Sequence, residues 1–143
     1  MSSAKTLIVI TGPTAVGKTR LCLDIARHFD IPIINADSRQ IYKLMTIGTA
    51  VPSPAQLSAV KHYFIQTKEL TELYTAGKYE IEALDLIGRL FDEGHETLVA
   101  CGGSMFYIDA LVGGIAPTPP ADPDVRTTLQ DRLEKEGAQA LVS

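Results

Sequence analysis

Residues Gly12-Pro13-Thr14-Ala15-Val16-Gly17-Lys18-Thr19 spell G-x-x-x-x-G-K-[ST], a phosphate-binding loop with every fixed position filled. The apolar run Leu7-Ile8-Val9-Ile10 precedes it, and Leu21, Leu23, Ile25, Ala26 and Phe29 follow at helical spacing. A strand feeding a loop that opens a helix is the setting this motif requires, so the chain is constrained to an α/β architecture from its first thirty residues. The glycines let the backbone wrap an anion with several N–H groups turned inward. Lys18 adds a full positive charge, and the Thr19 hydroxyl can hold Mg²⁺. A helix N-terminus stabilises an exposed anion by about 0.3–1 kcal/mol. A charge pair about 4 Å apart at an effective dielectric near 20 gives about 4 kcal/mol, so Lys18 outweighs the dipole. The loop reads as a cradle for a diphosphate, nucleotides such as ATP included. It does not fix what happens to that diphosphate.

The rest of the chain repeats the alternation. Thr6–Thr11 reads as a buried parallel strand, Gly17–His28 as a helix, and Ile31–Ala36 as a second strand in which Pro32 fits only near the start. Residues 45–54 read as a loop, 56–60 as a short helix, and His62–Gln66 as an edge strand. Ala76–Asp92 carries Tyr79, Ala83, Leu86, Ile87, Leu90 and Phe91 at helical spacing, with Gly94 as a stop signal. Thr97–Cys101 is a further buried strand, followed by a helix over 105–112, a Gly/Pro-rich hinge over 113–123, a charged helix over 122–136, and the start of another helix from Ala138. The order predicts one partial domain over 1–143, a parallel sheet with helices on both faces.

Composition narrows the function. The chain has 143 residues with 45% apolar and 21% charged, enough for one real core. No apolar run reaches the ~20 residues needed to cross a bilayer, and a strand begins too early for a signal peptide, so a cytoplasmic location is expected. Net charge is −4, which does not advertise nucleic-acid binding. Cys22 and Cys101 are far apart in the chain within apolar patterns and read as buried reduced thiols. His28, His62 and His95 show no metal-ligand spacing.

The second strand ends at Asp37, on the sheet edge where α/β proteins bind ligands. The later strand ends in Cys101-Gly102-Gly103-Ser104 with no carboxylate, unlike a nucleotide hydrolase, and its two glycines permit close approach of a ligand to the backbone. A diphosphate cradle, one carboxylate and a hydroxyl on a Gly-Gly turn suit a transfer in which Asp37 takes a proton from an acceptor. Asp37 as a Mg²⁺ ligand or as a helix cap for 38–42 stays open beside that role.

Several blocks together resemble a known family. The loop at 12–19, Asp37-Ser38-Arg39-Gln40-Ile41-Tyr42, Ile47-Gly48-Thr49-Ala50, Tyr74-Thr75-Ala76-Gly77 and Gly102-Gly103-Ser104-Met105-Phe106-Tyr107 look like the tRNA dimethylallyltransferases, also called tRNA isopentenyltransferases. The resemblance implies a P-loop NTPase-like fold, whose loop (Gly12, Pro13, Thr14, Ala15, Val16, Gly17, Lys18 and Thr19) holds the diphosphate of dimethylallyl diphosphate. It implies transfer of the five-carbon group to N6 of the adenosine beside the tRNA anticodon (adenosine 37), with Mg²⁺ held at Thr19. Asp37 and Lys18 become the catalytic pair. Asp37, Ser38, Arg39, Gln40, Ser104 and Arg126 become contacts to the tRNA anticodon arm; Ser104 stands where the family usually has threonine, and Arg126 reads equally well as an ordinary surface arginine. Tyr42 and Tyr107 read as core packing before a shelter for the base. Family members run to roughly twice this length. The chain is therefore expected to be an N-terminal portion whose hinge leads into a helical insertion. It is expected to be a monomer that binds diphosphate but transfers poorly or not at all.

Three other readings share the loop. A small-molecule kinase would add an arginine-bearing lid, and no arginine cluster is visible along the chain. An adenylate-type isopentenyltransferase would act on a free nucleotide. A non-catalytic P-loop module would not need Lys18, Thr19 and Asp37 together.

Overall fold

The computed structural model describes residues 4–116 and 119–142. Its elements are β1 (Thr6–Thr11), α1 (Lys18–Phe29), β2 (Ile33–Asn35), α2 (Pro54–Ala59), β3 (His62–Tyr63), α3 (Ala76–Asp92), β4 (Thr97–Gly102), α4 (Met105–Gly113) and α5 (Pro123–Glu136), then a 3-10 turn, Ala138–Leu141. The four strands form one sheet in the order β1-β4-β2-β3, and every pairing is parallel. β4 lies between β1 and β2, with Thr6 opposite Thr97, Thr11 opposite Gly102, and Asn35 opposite Cys101.

The central position of β4 explains its sequence. Leu98, Val99 and Ala100 are all fully buried, because both faces of this strand are covered. Side chains alternate between two layers. Ile34, Leu98 and Ala100 join Tyr79, Ala83, Leu86 and Leu90 of α3 and Tyr107, Ile108 and Leu111 of α4. Ile33 and Val99 point the other way, to Cys22, Leu23 and Ala26 of α1 and to Val60. Burying one such Leu, Ile or Val side chain is worth about 1.5–3 kcal/mol. The larger layer also holds stacked aromatics, with the Tyr79 and Tyr107 rings 4.4 Å apart and nearly parallel. The Tyr79 hydroxyl donates to the Asn35 carbonyl at 2.9 Å, which satisfies its buried end.

α3 spans the residues its periodicity predicts, and the Thr75 hydroxyl caps it by accepting the Lys78 N–H. The second and third strands are shorter than expected. β3 stops after two residues because Phe64 (φ 62°) and Gln66 (φ 51°) turn into left-handed backbone. The Asn35 side-chain amide then donates to the Phe64 carbonyl, and the Gln66 N–H donates to the Gln40 carbonyl. α4 runs through Gly113 into the expected hinge, of which residues 117 and 118 lie outside the described residues. Beyond it, α5 is capped by Asp122 and exposed along its length.

Candidate functional site

Three left-handed residues shape the loop after β1: Gly12 (φ 150°), Ala15 (φ 64°) and Gly17 (φ 96°). Gly17 is the residue at the start of α1, and no side chain caps the helix there. No acidic residue stands in the first turn either. The leading N–H groups of α1 therefore face outward with no internal acceptor, the arrangement that binds anions. Lys18 folds back over this slot. Its ammonium donates to the Gly12 carbonyl at 2.7 Å and also to the Pro13 carbonyl.

The loop forms one wall of a cavity of about 430 Å³ at the carboxyl edge of the sheet. Lys18, Arg20 and Arg39 bring positive charge to it, and Thr14, Thr19 and Asp37 bring oxygen donors. Gly48, Thr49 and Ala50 form the facing wall. That wall is held by Gln40, whose side-chain amide donates to the carbonyls of Thr49 (2.9 Å) and Ala50 (3.0 Å).

Asp37 sits directly after β2 in a fixed orientation. Its Oδ1 accepts the N–H groups of Arg39 (2.8 Å) and Gln40 (3.1 Å), so the carboxylate caps the turn that follows. The cap and the proton acceptor considered above are not exclusive, since Oδ1 makes the turn and Oδ2 lies on the Gly103 side. Behind this turn, the Ser104 hydroxyl accepts the Ser38 N–H and donates to the Ser38 hydroxyl.

The Gly-Gly turn departs from the expectation for it. A Cβ on Gly102 would stand 2.0 Å from the Ala36 carbonyl oxygen. The close approach at Gly102 is thus to the chain's own backbone, where β2 and β4 converge, rather than to a ligand. The Ala36 N–H donates to the Cys101 carbonyl there at 2.8 Å. Gly103 has ordinary room, with a Cβ position 3.8 Å from Asp37 Oδ2.

Folding gathers Thr14, Ala15, Gly17, Lys18, Thr19, Asp37 and Arg39 around one cavity. Gly12, Pro13 and Val16 complete the loop. Ser38 and Ser104 lie behind the Asp37 turn, and Gln40 spends its amide on the facing wall. Arg126 lies exposed in the first turn of α5 and does not line the cavity. Tyr107 is buried in the aromatic stack, and burial pushes its hydroxyl up to about 12, with nearby Tyr42 and Asp37 adding to the shift. Among the described residues, no group of three or more His, Cys, Asp or Glu is disposed to hold a metal ion.

Arg20 also lines the cavity, although no motif points to it. The signal was there. A basic residue in the first turn of a helix opposes the macrodipole, and an anion bound at that end relieves the conflict. Arg20 and Arg39 are distant in the chain, which is why no arginine cluster showed.

Comparison with known proteins adds the relatives. The profile described as IPP transferase matches residues 40–143. The chain is 46% identical to tRNA dimethylallyltransferase 2 of Azobacteroides pseudotrichonymphae over 138 residues, 96% of this chain and 45% of that protein. It is 47% identical to tRNA dimethylallyltransferase 1 of Bacteroides thetaiotaomicron over 136 residues, 95% of this chain and 44% of that protein. The chain thus spans about half the length of the curated relatives it matches. Among solved structures it is similar to a tRNA isopentenylpyrophosphate transferase from Bacillus halodurans, with TM-score 0.74, 31% identity, and coverage of 96% of this chain and 45% of that one. It is also similar to a eukaryotic dimethylallyltransferase acting on tRNA, with TM-score 0.76, 27% identity, and coverage of 93% and 33%.

Proposed function

The chain belongs to the IPP transferase family, and from that premise we propose that its cavity binds the diphosphate of dimethylallyl diphosphate and serves prenyl transfer to N6 of an adenosine beside the tRNA anticodon. One observation carries the reading: the phosphate loop and Asp37 face the same cavity. The N6 lone pair is delocalised into the purine, so the amine is a weak nucleophile that becomes acidic only as its new C–N bond forms. A carboxylate aimed into the cavity can accept that proton late, help that is typically worth about 10²–10⁴ in rate. Lys18, Arg20 and the outward N–H groups of α1 meet the charge that gathers on the departing diphosphate.

The Thr19 hydroxyl and Asp37 carboxylate are hard oxygen donors on one cavity, a set that suits Mg²⁺, which prefers few protein ligands together with water and phosphate oxygens. Mg²⁺ bound there would supply further charge neutralisation to the diphosphate. Arg39 lines the cavity the target nucleotide would enter, Ser38 and Ser104 hold the Asp37 turn from behind, Gln40 holds the facing wall, and Arg126 offers a charge to the anticodon arm from outside the cavity. On this reading the protein works in the cytoplasm as a monomer. Among the described residues, no helix is long and apolar enough to cross a membrane.

Titration calorimetry with dimethylallyl diphosphate, inorganic pyrophosphate and ATP tests the first step. The reading expects the allylic diphosphate to bind more tightly than ATP. A clear preference for ATP would turn the assignment toward a kinase. In a full-length relative, transfer to an anticodon stem-loop is expected to fall by about 10²–10⁴ when the aspartate matching Asp37 is changed to asparagine, and unchanged turnover would remove the aspartate from the chemistry.

A further inference from the structure

Cys22 and Cys101 are remote in sequence and adjacent in space. Cys22 is buried in α1, three residues after Thr19. Cys101 is half-buried on β4, between Ile10 of β1 and Asn35 of β2 and immediately before the Gly102 contact with Ala36. The two line one small cavity of about 50 Å³ together with Lys18, Thr19 and His62, behind the phosphate loop. Both are free thiols. The Cys22 thiol faces the Cys101 sulfur, which raises the Cys22 thiol and lowers that of Cys101. The Lys18 ammonium pulls both downward, while burial and Asp37 oppose the change at Cys101.

We infer that Cys22 and Cys101 form a redox modification site, a dithiol that a hydroperoxide converts to a disulfide and that a dithiol reductant reopens, with oxidation displacing the phosphate loop. The effect on ligand rests on the diphosphate reading above; the site itself does not. The assignment of roles follows from access. Cys101 is the more exposed of the two, so it meets the peroxide first. The O–O bond breaks, Cys101 becomes a sulfenic acid, and the second oxygen leaves as water. The Cys22 sulfur then attacks the Cys101 sulfur, its proton leaves with the hydroxyl as a second water, and the disulfide forms. Two thiols and one hydroperoxide thus yield one disulfide and two waters, or one water and an alcohol from an organic peroxide.

Bond formation has a mechanical result. A disulfide needs its sulfurs about 2 Å apart, closer than two unbonded thiols can stand. Closing the pair draws α1 and β4 together at Cys22, one turn beyond Lys18 and Thr19. A displacement of about 1 Å in a positioned group can reduce function by about 10²-fold.

The test uses the whole chain, reduced with dithiothreitol or treated with hydrogen peroxide. The expected result is a protein two hydrogens lighter, a proteolytic peptide joining residues 22 and 101, and altered amide exchange across 12–22. Pyrophosphate affinity should fall by at least about tenfold, and dithiothreitol should restore it. Cys22→Ser should bind pyrophosphate like the reduced protein and stop at a sulfenic acid on Cys101, trapped by dimedone. Absence of the joined peptide, or a disulfide that leaves exchange across 12–22 unchanged, overturns the proposal without reference to any variant. Reduced protein that fails to bind pyrophosphate counts against the diphosphate reading alone, since the peptide and exchange measurements still judge the cysteine pair.

Discussion

The Ser104 hydroxyl lies 2.7 Å from the Ser38 backbone nitrogen and 3.0 Å from the Ser38 hydroxyl, so the end of β4 and the turn carrying Asp37 are one hydrogen-bonded unit. Ser104→Ala removes the acceptor from a part-buried N–H. It is expected to lower stability by about 1–2 kcal/mol, read as the shift of a urea midpoint at constant slope. Ser104→Thr keeps the hydroxyl and should lose less than half as much. Equal losses in the two variants would show that the hydroxyl is not the link.

Lys18→Ala is expected to weaken pyrophosphate binding by about 2 kcal/mol or more, roughly thirtyfold. Calorimetry at low and moderate salt checks it. Substitutions at the exposed α1 positions Asp24 or His28, beyond the loop, should change affinity far less. A comparable loss from either would mean that the helix as a whole, rather than the ammonium, dominates the anion.

Gly102 and Gly103 make a paired test. Gly102→Ala drives a Cβ to 2.0 Å from the Ala36 carbonyl oxygen and 2.3 Å from its carbon, both backbone atoms that cannot rotate away. A loss of several kcal/mol, up to failure to fold, is expected. Gly103→Ala meets only ordinary contact, 3.8 Å from Asp37 Oδ2, and should stay within about 1 kcal/mol of wild type. Thermal melts of the two variants side by side check the contrast.

Tyr107 gives a pH dependence with a defined sign. Its folded-state value is raised to about 12 from an ordinary 10.0, by burial first and then by Tyr42 and Asp37. Below pH 10 both the folded and unfolded chains hold the proton, and the contribution is complete. As pH rises from about 10 to about 12 the unfolded chain releases its proton first, so stability falls. Tyr107→Phe should flatten that part of the profile of urea midpoints against pH. An unchanged slope would place the alkaline loss in other groups; Tyr74 and Tyr79 are shifted in the same direction.

Much of this fold is dictated by local rules. The phosphate loop, β1 and α3 were legible because each is set by residues close in the chain: an apolar run, a glycine pattern, a cap and a 3.6-residue stripe. Asp37 was legible for the same reason, as the residue at which an apolar strand stops. What stayed hidden depends on distant partners. β3 looked long because His62–Gln66 has strand composition, yet left-handed backbone at Phe64 and Gln66 ends it where Asn35 and Gln40 supply the partners. The need for glycine at 102 comes from Ala36, and the pairing of Cys22 with Cys101 comes from α1 crossing β4. The chain alone shows neither neighbour. The packing role that its pattern predicts for Tyr107 agrees with its place in the Tyr79 stack.

The Lys18 ammonium, resting on the carbonyls of Gly12 and Pro13, is already engaged when any anion arrives. An incoming ligand is therefore weighed against two backbone oxygens as well as against water. The arrangement would set a threshold as well as an attraction on the proposed reading, since an anion must offer the ammonium more than the two carbonyls already do.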